Sequence, residues 1–283
     1  MITENRRVTD QEILARIRSF PRWHYEFDLE GHRTPIASPA WAVRHLQRKA
    51  YFFDPLVDLC GGSLVGKRVL DLGCNAGFWS LLAVQAGCAE VVGIDARQMH
   101  IEQANFVFEV KQVPAARYRF ICGDVYQTLT ADIGTFEVVL CLGLLYHLDK
   151  HLELLELISK LNSDLLVIDT ALSLRGGPVL EIRLEDTDDP RRAWEKTMVM
   201  LPSRDALEVM LSYLGYRSVV LKPKFTDYTG SEGYRAGLRR ALVAAKHSDL
   251  TRLSVPTESA RPRMYRPVQV LRQALSGLVR RLE

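Results

Sequence analysis

The chain has 283 residues, 47% of them hydrophobic and 25% charged, with a net charge of +3. It is long enough to bury one large core or two modest ones, and no apolar run approaches the roughly 20 residues that span a bilayer. Its five cysteines, Cys60, Cys74, Cys88, Cys122 and Cys141, are odd in number and lack a C-x-x-C pair, which argues against a disulfide framework or a zinc site and fits a reducing cytoplasm.

The first residues, MITENRRVTDQEILARIRSF, lack the continuous apolar core of a secretory signal. Thr9 and Glu12 have capping-box spacing, and Ile13, Ile17 and Phe20 recur at helical intervals, so a capped helix is expected. In the next segment, PRWHYEFDLEGHRTP, Tyr25 and Phe27 share one side of an alternating pattern and His24 and Glu26 the other. Ser38-Pro39 then opens a second helix through AWAVRHLQRKAYF. From about Val65 apolar strand-like runs (KRVLDLG, AEVVGIDA, YRFICGD, FEVVLCLG, DLLVIDTAL) alternate with helical patterns (FWSLLAVQAG, QMHIEQANFVFEVKQ, LDKHLELLELISKL). That rhythm predicts an α/β fold whose parallel sheet is covered on both faces.

Residues 173–202 break the rhythm and are too long for an ordinary connection. They carry Glu181, Arg183, Glu185, Asp186, Arg191, Arg192 and Trp194, a mixture suited to the wall of a pocket for a polar, sugar-like or amino-bearing molecule, though a solvated loop has the same composition. The pattern resumes with a helix capped by Ser203 and closed at Gly215, then the strands RSVVLKP and RRALVAAK. From Arg235 onward 11 Lys+Arg face 3 Asp+Glu. Such a basic end meets phosphates, meets an anionic membrane, or is simply solvated. In its last stretch Leu271, Leu275, Leu278 and Leu282 share a helical face, with Arg272, Arg280 and Arg281 elsewhere around it. Folding back on the body or pairing in a homodimer is the favoured reading over lying on a membrane. The expected organisation is an N-terminal helical cap over the substrate approach (1–64), a central domain (65–246) with the insertion 173–202, and a basic tail (247–283).

The stretch RVLDLGCNAGFWS carries the first functional signal. A glycine-rich turn between strand and helix lets a ligand approach the backbone. Gly73-Cys74-Asn75-Ala76-Gly77 lacks the second and third glycines of G-x-G-x-x-G, and Asp71 beside the turn would repel a pyrophosphate but attract an ammonium group. S-adenosylmethionine carries an ammonium and no phosphate. Asp95, at the end of the second strand, is placed to accept hydrogen bonds from both ribose hydroxyls, and Asp124, at the end of the third, to meet the adenine amino group. A nicotinamide oxidoreductase would use the same Asp95, so Asp71 and the incomplete glycine pattern decide against it.

The motifs VLDLGCNAGFWS, VVGIDA, CGDV and VVLCLGLLYHL, within Lys67 to Lys246, resemble those of class I S-adenosylmethionine-dependent methyltransferases. The resemblance implies a Rossmann-like sheet of seven strands, the last antiparallel, with the cofactor across the carboxyl ends. It implies cofactor contacts from Asp71, Gly73, Cys74, Asn75, Gly77, Phe78, Asp95, Ala96, Asp124, Val125, Leu142 and Gly143. Asn75 stands where the family usually has glycine, a substitution the turn survives because Asn tolerates left-handed geometry. CLGLLYHLDKHLELL and SEGYRAGLRRALVAAK are similar to the branch containing the bacterial tRNA wobble-uridine carboxymethyltransferase and its small-molecule-modifying relatives. In those tRNA enzymes a tyrosine after the fourth strand and an arginine entering the last strand contact the carboxylate of carboxy-S-adenosylmethionine, and Tyr146 and Arg240 occupy the matching places. The lysine of their W-R-K-G-P-F motif has no counterpart, which favours ordinary S-adenosylmethionine and disfavours a tRNA substrate.

The cofactor's methyl is intrinsically activated, so the protein must align the acceptor and, for an alcohol, remove its proton. His147, in the loop after the fourth strand, is the first candidate base, since imidazole is the side chain that changes charge near neutrality; a histidine at a helix start also serves structure alone. Tyr146 and His24 are the other catalytic candidates. Tyr25, Arg183, Trp194 and Arg240 are expected to contact the acceptor. His147 and His151 are four apart, but no third ligand is spaced with them, so no metal is expected. These residues point to methylation of a polar small molecule or glycan intermediate. Modification of a tRNA wobble uridine and non-catalytic binding of the cofactor are the alternatives.

Overall fold

A computed structural model describes residues 8–185 and 198–253; Asp186, Arg191, Arg192, Trp194 and the amphipathic tail helix lie outside the described residues. The first helix, α1 (Asp10–Ser19), has the expected reciprocal cap: Glu12 N donates to the Thr9 hydroxyl and Thr9 N to the Glu12 carboxylate. A short hairpin of β1 (Asp28–Leu29) and β2 (His32–Arg33) comes next. Residues 22–27 form no strand of their own, yet they alternate as their pattern implies. Tyr25 and Phe27 are buried, and His24 and Glu26 are partly exposed.

Ser38 caps α2 (Pro39–Arg48), which passes through a π-helical turn, Lys49–Phe53, into α3 (Asp54–Leu59). Within the turn Asp54 N donates to the carbonyl of Lys49, one residue further back than in an α-helix. Pro55 has no N–H for the carbonyl of Tyr51, and the wider turn absorbs that break.

The central unit then alternates. Its elements are β3 (Arg68–Leu72), α4 (Phe78–Gln85), β4 (Glu90–Asp95), α5 (Gln98–Val110), β5 (Tyr118–Cys122), α6 (Val125–Thr130), β6 (Phe136–Leu142), α7 (His151–Leu161) and β7 (Asn162–Ala171). The insertion contributes β8 (Leu180–Leu184) and β9 (Met198–Pro202), an antiparallel pair with Leu180 opposite Pro202 and Leu184 opposite Met198. The chain then forms α8 (Arg204–Tyr213), β10 (Arg217–Val220), α9 (Glu232–Arg235) and β11 (Arg239–Ala245). Seven strands form one sheet in the order β10-β11-β7-β6-β3-β4-β5, with β11 antiparallel to both neighbours.

Strand alternation divides the core in two. Val69, Val138 and Leu140 face one side with α1, α3, α4 and α5, while Leu70, Val139 and Cys141 face the other with α6, α7 and α8. With both faces covered, the parallel strands end in one row, and open parallel sheets bind ligands at that carboxyl edge.

Candidate functional site

A cleft of about 1130 Å³ opens at the carboxyl ends of the strands. Its first half is the turn between β3 and α4. Asn75 sits at φ 50° and Gly77 at φ 78°, so the Asn tolerates the left-handed geometry required of it. A Cβ on Gly77 would lie 3.2 Å from Ala104 and Phe120, so both conformation and space require glycine there. The turn is tied to the neighbouring strand by Asn75 N, which donates to Asp95 Oδ2 at 2.9 Å. Asp95 Oδ1 accepts from Arg97 N at 2.9 Å and lies 3.0 Å from His100 Nδ1. Burial alone would raise its pKa, but these hydrogen bonds outweigh burial and hold it below the usual carboxylate value. Asp95 is therefore an ionised acceptor that still borders the cleft.

Of the other expected cofactor residues, Gly73, Asn75, Ala96, Asp124, Val125, Leu142 and Gly143 line this cleft. Asp124 also caps α6, accepting from Gln127 N at 3.0 Å. Asp71, Cys74, Gly77 and Phe78 do not line it. Asp71 is 1% exposed and points away from the cleft to Ser80 Oγ, which donates to it at 2.6 Å. Burial raises its pKa to about 7, against the hydrogen bonds from Ser80. Strand alternation explains the misplacement, because position 71 faces the packed side under α4. Cys74 is fully buried, and Phe78 stacks on Tyr25 with ring centroids 4.7 Å apart.

The second half of the cleft is assembled from distant segments. Tyr146 and His147 lie in the short turn after β6 and border the cleft. His147 Nδ1 is 2.7 Å from Glu185 Oε2, and both side chains are 13% exposed. The insertion delivers Glu185: Met200 N of β9 donates to Leu148 O at 3.0 Å, which fastens the β8–β9 pair to the turn. In the neutral ring that donates Nδ1–H to Glu185, Nε2 carries the lone pair. His151 is turned away, with Nε2 3.1 Å from Leu148 O. Among the described residues no group of three His, Cys, Asp or Glu is gathered to hold a metal ion.

Tyr25 and His24 both border the cleft from the N-terminal segment, but Tyr25 is largely committed to packing, its hydroxyl accepting from Trp79 Nε1 at 3.1 Å. Two expected acceptor residues are corrected. Arg240 turns away, donating to the carbonyls of Tyr234 and Arg239, while its neighbour Arg239 borders the cleft with its guanidinium 5.1 Å from the Tyr146 ring. A strand's period of two makes the choice between adjacent arginines absolute. Arg183 lies outside the cleft, on exposed β8, bonded to Glu181 at 2.8 Å.

Sequence reasoning missed the buried ionic group beneath Arg239. Asp169 on β7 is fully buried and accepts from Arg48 Nη2 at 2.6 Å, Arg239 Nη2 at 2.8 Å and the Tyr234 hydroxyl at 2.9 Å. Burial would raise its pKa, but Arg239 and Arg48 beside it pull it down to about 2. The available signal was an acid inside the apolar run DLLVIDTAL, since a buried charge requires a partner.

Fold and site define a class, and comparison with known proteins agrees. Residues 69–163 match the family described as Methyltransferase domain, and the seven-stranded sheet around them has the fold of a class I S-adenosylmethionine-dependent methyltransferase. The tRNA U34 carboxymethyltransferase of Ectopseudomonas mendocina is 31% identical over 163 residues, covering 55% of this chain and 47% of that protein. The ubiquinone biosynthesis O-methyltransferase of Acinetobacter baylyi is 29% identical over 116 residues, 40% of this chain and 48% of that protein. The chain thus spans about half the length of the curated relatives it matches. In fold it is similar to the N-terminal domain of EvdMO1, determined in the presence of S-adenosylhomocysteine and D-fucose, with a TM-score of 0.64 at 21% identity over 86% of this chain and 98% of that one. No helix among the described residues is long and apolar enough to cross a membrane.

Proposed function

We propose that the protein transfers a methyl group from S-adenosylmethionine to a hydroxyl of a polar small molecule or glycan intermediate. The observation that carries this reading is the His147–Glu185 pair at 2.7 Å, facing the same cleft as Asp95 and the glycine turn. The residues present fit the cofactor. Asp95 offers an ionised acceptor for ribose hydroxyls, and Gly73 and Asn75 offer backbone at the turn.

S-adenosylmethionine supplies an electrophilic methyl and leaves as a neutral thioether. The chain's own work is on the acceptor. Its hydroxyl gives its proton to His147 Nε2 as the oxygen gains the methyl, and Glu185 stabilises the imidazolium that forms. Tyr146, with its ring centroid 4.0 Å from that of His147, restricts how the imidazole turns. Mass spectrometry of ligand carried through native purification tests the cofactor: S-adenosylmethionine or S-adenosylhomocysteine is expected, and NAD alone would overturn the reading. Methyl transfer to hydroxyl-bearing acceptors, retained by His147→Ala, would remove the proposed base.

A second reading, carboxymethyl transfer to a tRNA wobble uridine, is favoured by the relatives and by Arg239 standing against Tyr146. Competitive binding separates them, since a carboxy-S-adenosylmethionine preference of tenfold or more selects the second.

A further inference from the structure

We infer that the acceptor carries an anionic group, a carboxylate or a phosphate monoester, bound by Arg44, Arg48 and Arg239. This rests on the methyltransferase reading above and narrows its substrate. Arg44 and Arg48 stand four residues apart on α2 and so project from one face, Arg239 opens β11, and all three border the cleft.

Among the described residues one carboxylate, Asp169, forms ion pairs with these cations. Asp169 is fully buried, and Arg48, Arg239 and Tyr234 already fill its lone pairs. It balances one charge of three. The Arg44 side chain makes no hydrogen bond or ion pair with any described residue, and its Nε is enclosed without an acceptor, as is Arg48 Nε. Burial and then the like charges of Arg48 and Arg239 lower the pKa of Arg44 and outweigh Tyr234 and Asp169, so the surroundings on balance disfavour its cation. Glu232 is within electrostatic reach of Arg44, but it is exposed and its carboxylate accepts from Gly230 N at 2.9 Å.

Guanidinium donors held out of water without acceptors are costly, and a planar or tetrahedral oxyanion is the partner their fork geometry matches. A neutral hydroxyl would meet one donor and leave the charge. The position lies away from the strand ends assigned to the cofactor's ribose and adenine, and the cofactor's own carboxylate is told apart from an acceptor anion by the S-adenosylhomocysteine affinity of the Arg44 variants. In the sheet β7 and β11 lie on the far side of β3 from β4 and β5, which carry Asp95 and lead to Asp124. Arg239 stands beside Tyr146, next to His147, so an anion held there keeps its own molecule's hydroxyl near the base.

The test uses the full chain saturated with S-adenosylhomocysteine, with inorganic phosphate, glucuronate and glucose as probes at matched ionic strength, read by calorimetry and thermal midpoint. Phosphate and glucuronate are expected to bind and raise the midpoint, and glucuronate to bind at least tenfold more tightly than glucose. Arg44→Gln should abolish that selectivity, Arg44→Lys should retain part of it, and both should bind S-adenosylhomocysteine within twofold of the parent. Equal binding of glucuronate and glucose, selectivity that survives Arg44→Gln, or a tenfold loss of S-adenosylhomocysteine affinity in Arg44→Gln, which would give the arginines to the cofactor's own carboxylate, overturns the inference. Failure of S-adenosylhomocysteine to bind the parent protein overturns the methyltransferase reading itself. If carboxy-S-adenosylmethionine outbinds S-adenosylmethionine tenfold and Arg44→Gln removes that advantage, the arginines serve the cofactor, and the inference about the acceptor falls.

Discussion

The two halves of the cleft are built on opposite plans. The cofactor half is contiguous: one turn and the ends of β4 and β5 bring Asn75, Asp95 and Asp124 together through short strand-to-helix connections. The other half is a convergence of segments far apart in the chain. Arg48 meets Asp169 across 121 positions, and His147 meets Glu185 across 38. A half built from one stretch is written in local motifs, whereas one built by convergence depends on tertiary packing for every contact.

That contrast can be broken in several ways, and the largest effect is expected at Asp169. Asp169→Asn removes the charge that balances buried Arg48 and Arg239, and breaking such a group costs about 3–5 kcal/mol. Urea unfolding should show the loss, and a change under about 1 kcal/mol would mean that the arginines are solvated. His147→Ala comes next. Turnover should fall by roughly 10²–10⁴ with S-adenosylhomocysteine affinity unchanged, as measured by single-turnover kinetics beside calorimetry. Asp95→Ala should do the reverse, weakening S-adenosylmethionine about ten- to a hundredfold through the loss of on the order of 1.5–3 kcal/mol of ribose hydrogen bonding. Unchanged affinity in the folded variant would remove Asp95 from the cofactor half.

The smallest effect on ligand binding is expected at Asp71. Asp71→Asn should alter S-adenosylhomocysteine affinity by less than about threefold, because a group outside the cleft makes no contact to lose. Its signature is pH. The folded carboxyl titrates at about 7 against an ordinary 3.8, so the native state holds its proton longer than the unfolded chain. Its contribution to stability is fully present below about pH 4 and is lost as pH rises toward 7. The stability of Asp71→Asn relative to the parent should therefore rise over that window in unfolding curves at fixed ionic strength. A flat difference would show that Asp71 is ionised and matched.

The sheet, its strand boundaries and the glycine turn were legible because apolar periodicity and turn chemistry are local. Asp71 and Arg240 were misassigned for one shared reason. Each sits on a strand where a neighbouring position faces the opposite side, and a motif names the neighbourhood without fixing the side. Glu185 was visible only as one charge among several in the insertion, because nothing in residues 173–202 announces that β9 pairs with the loop at Leu148. Arg44 and Arg48 are two cations in the helical run AWAVRHLQRKAYF with no motif around them, and their place at the cleft emerges only with Asp169 and Arg239 in position.

The π-helical turn at Lys49–Phe53 sets how α2 is clocked against α3. Each helical residue turns the chain by about 100°, so the extra residue in the turn shifts the facing of α3 relative to α2 by about that angle. Arg44 and Arg48 meet the cleft, while Tyr51, Phe52 and Phe53 plug the core. Shortening that turn by a single residue would force a choice between the two, swinging either the cations off the cleft or the aromatics out of the protein. Length at this point is thus as constrained as side-chain identity, and an alignment gap there would carry more meaning than a substitution.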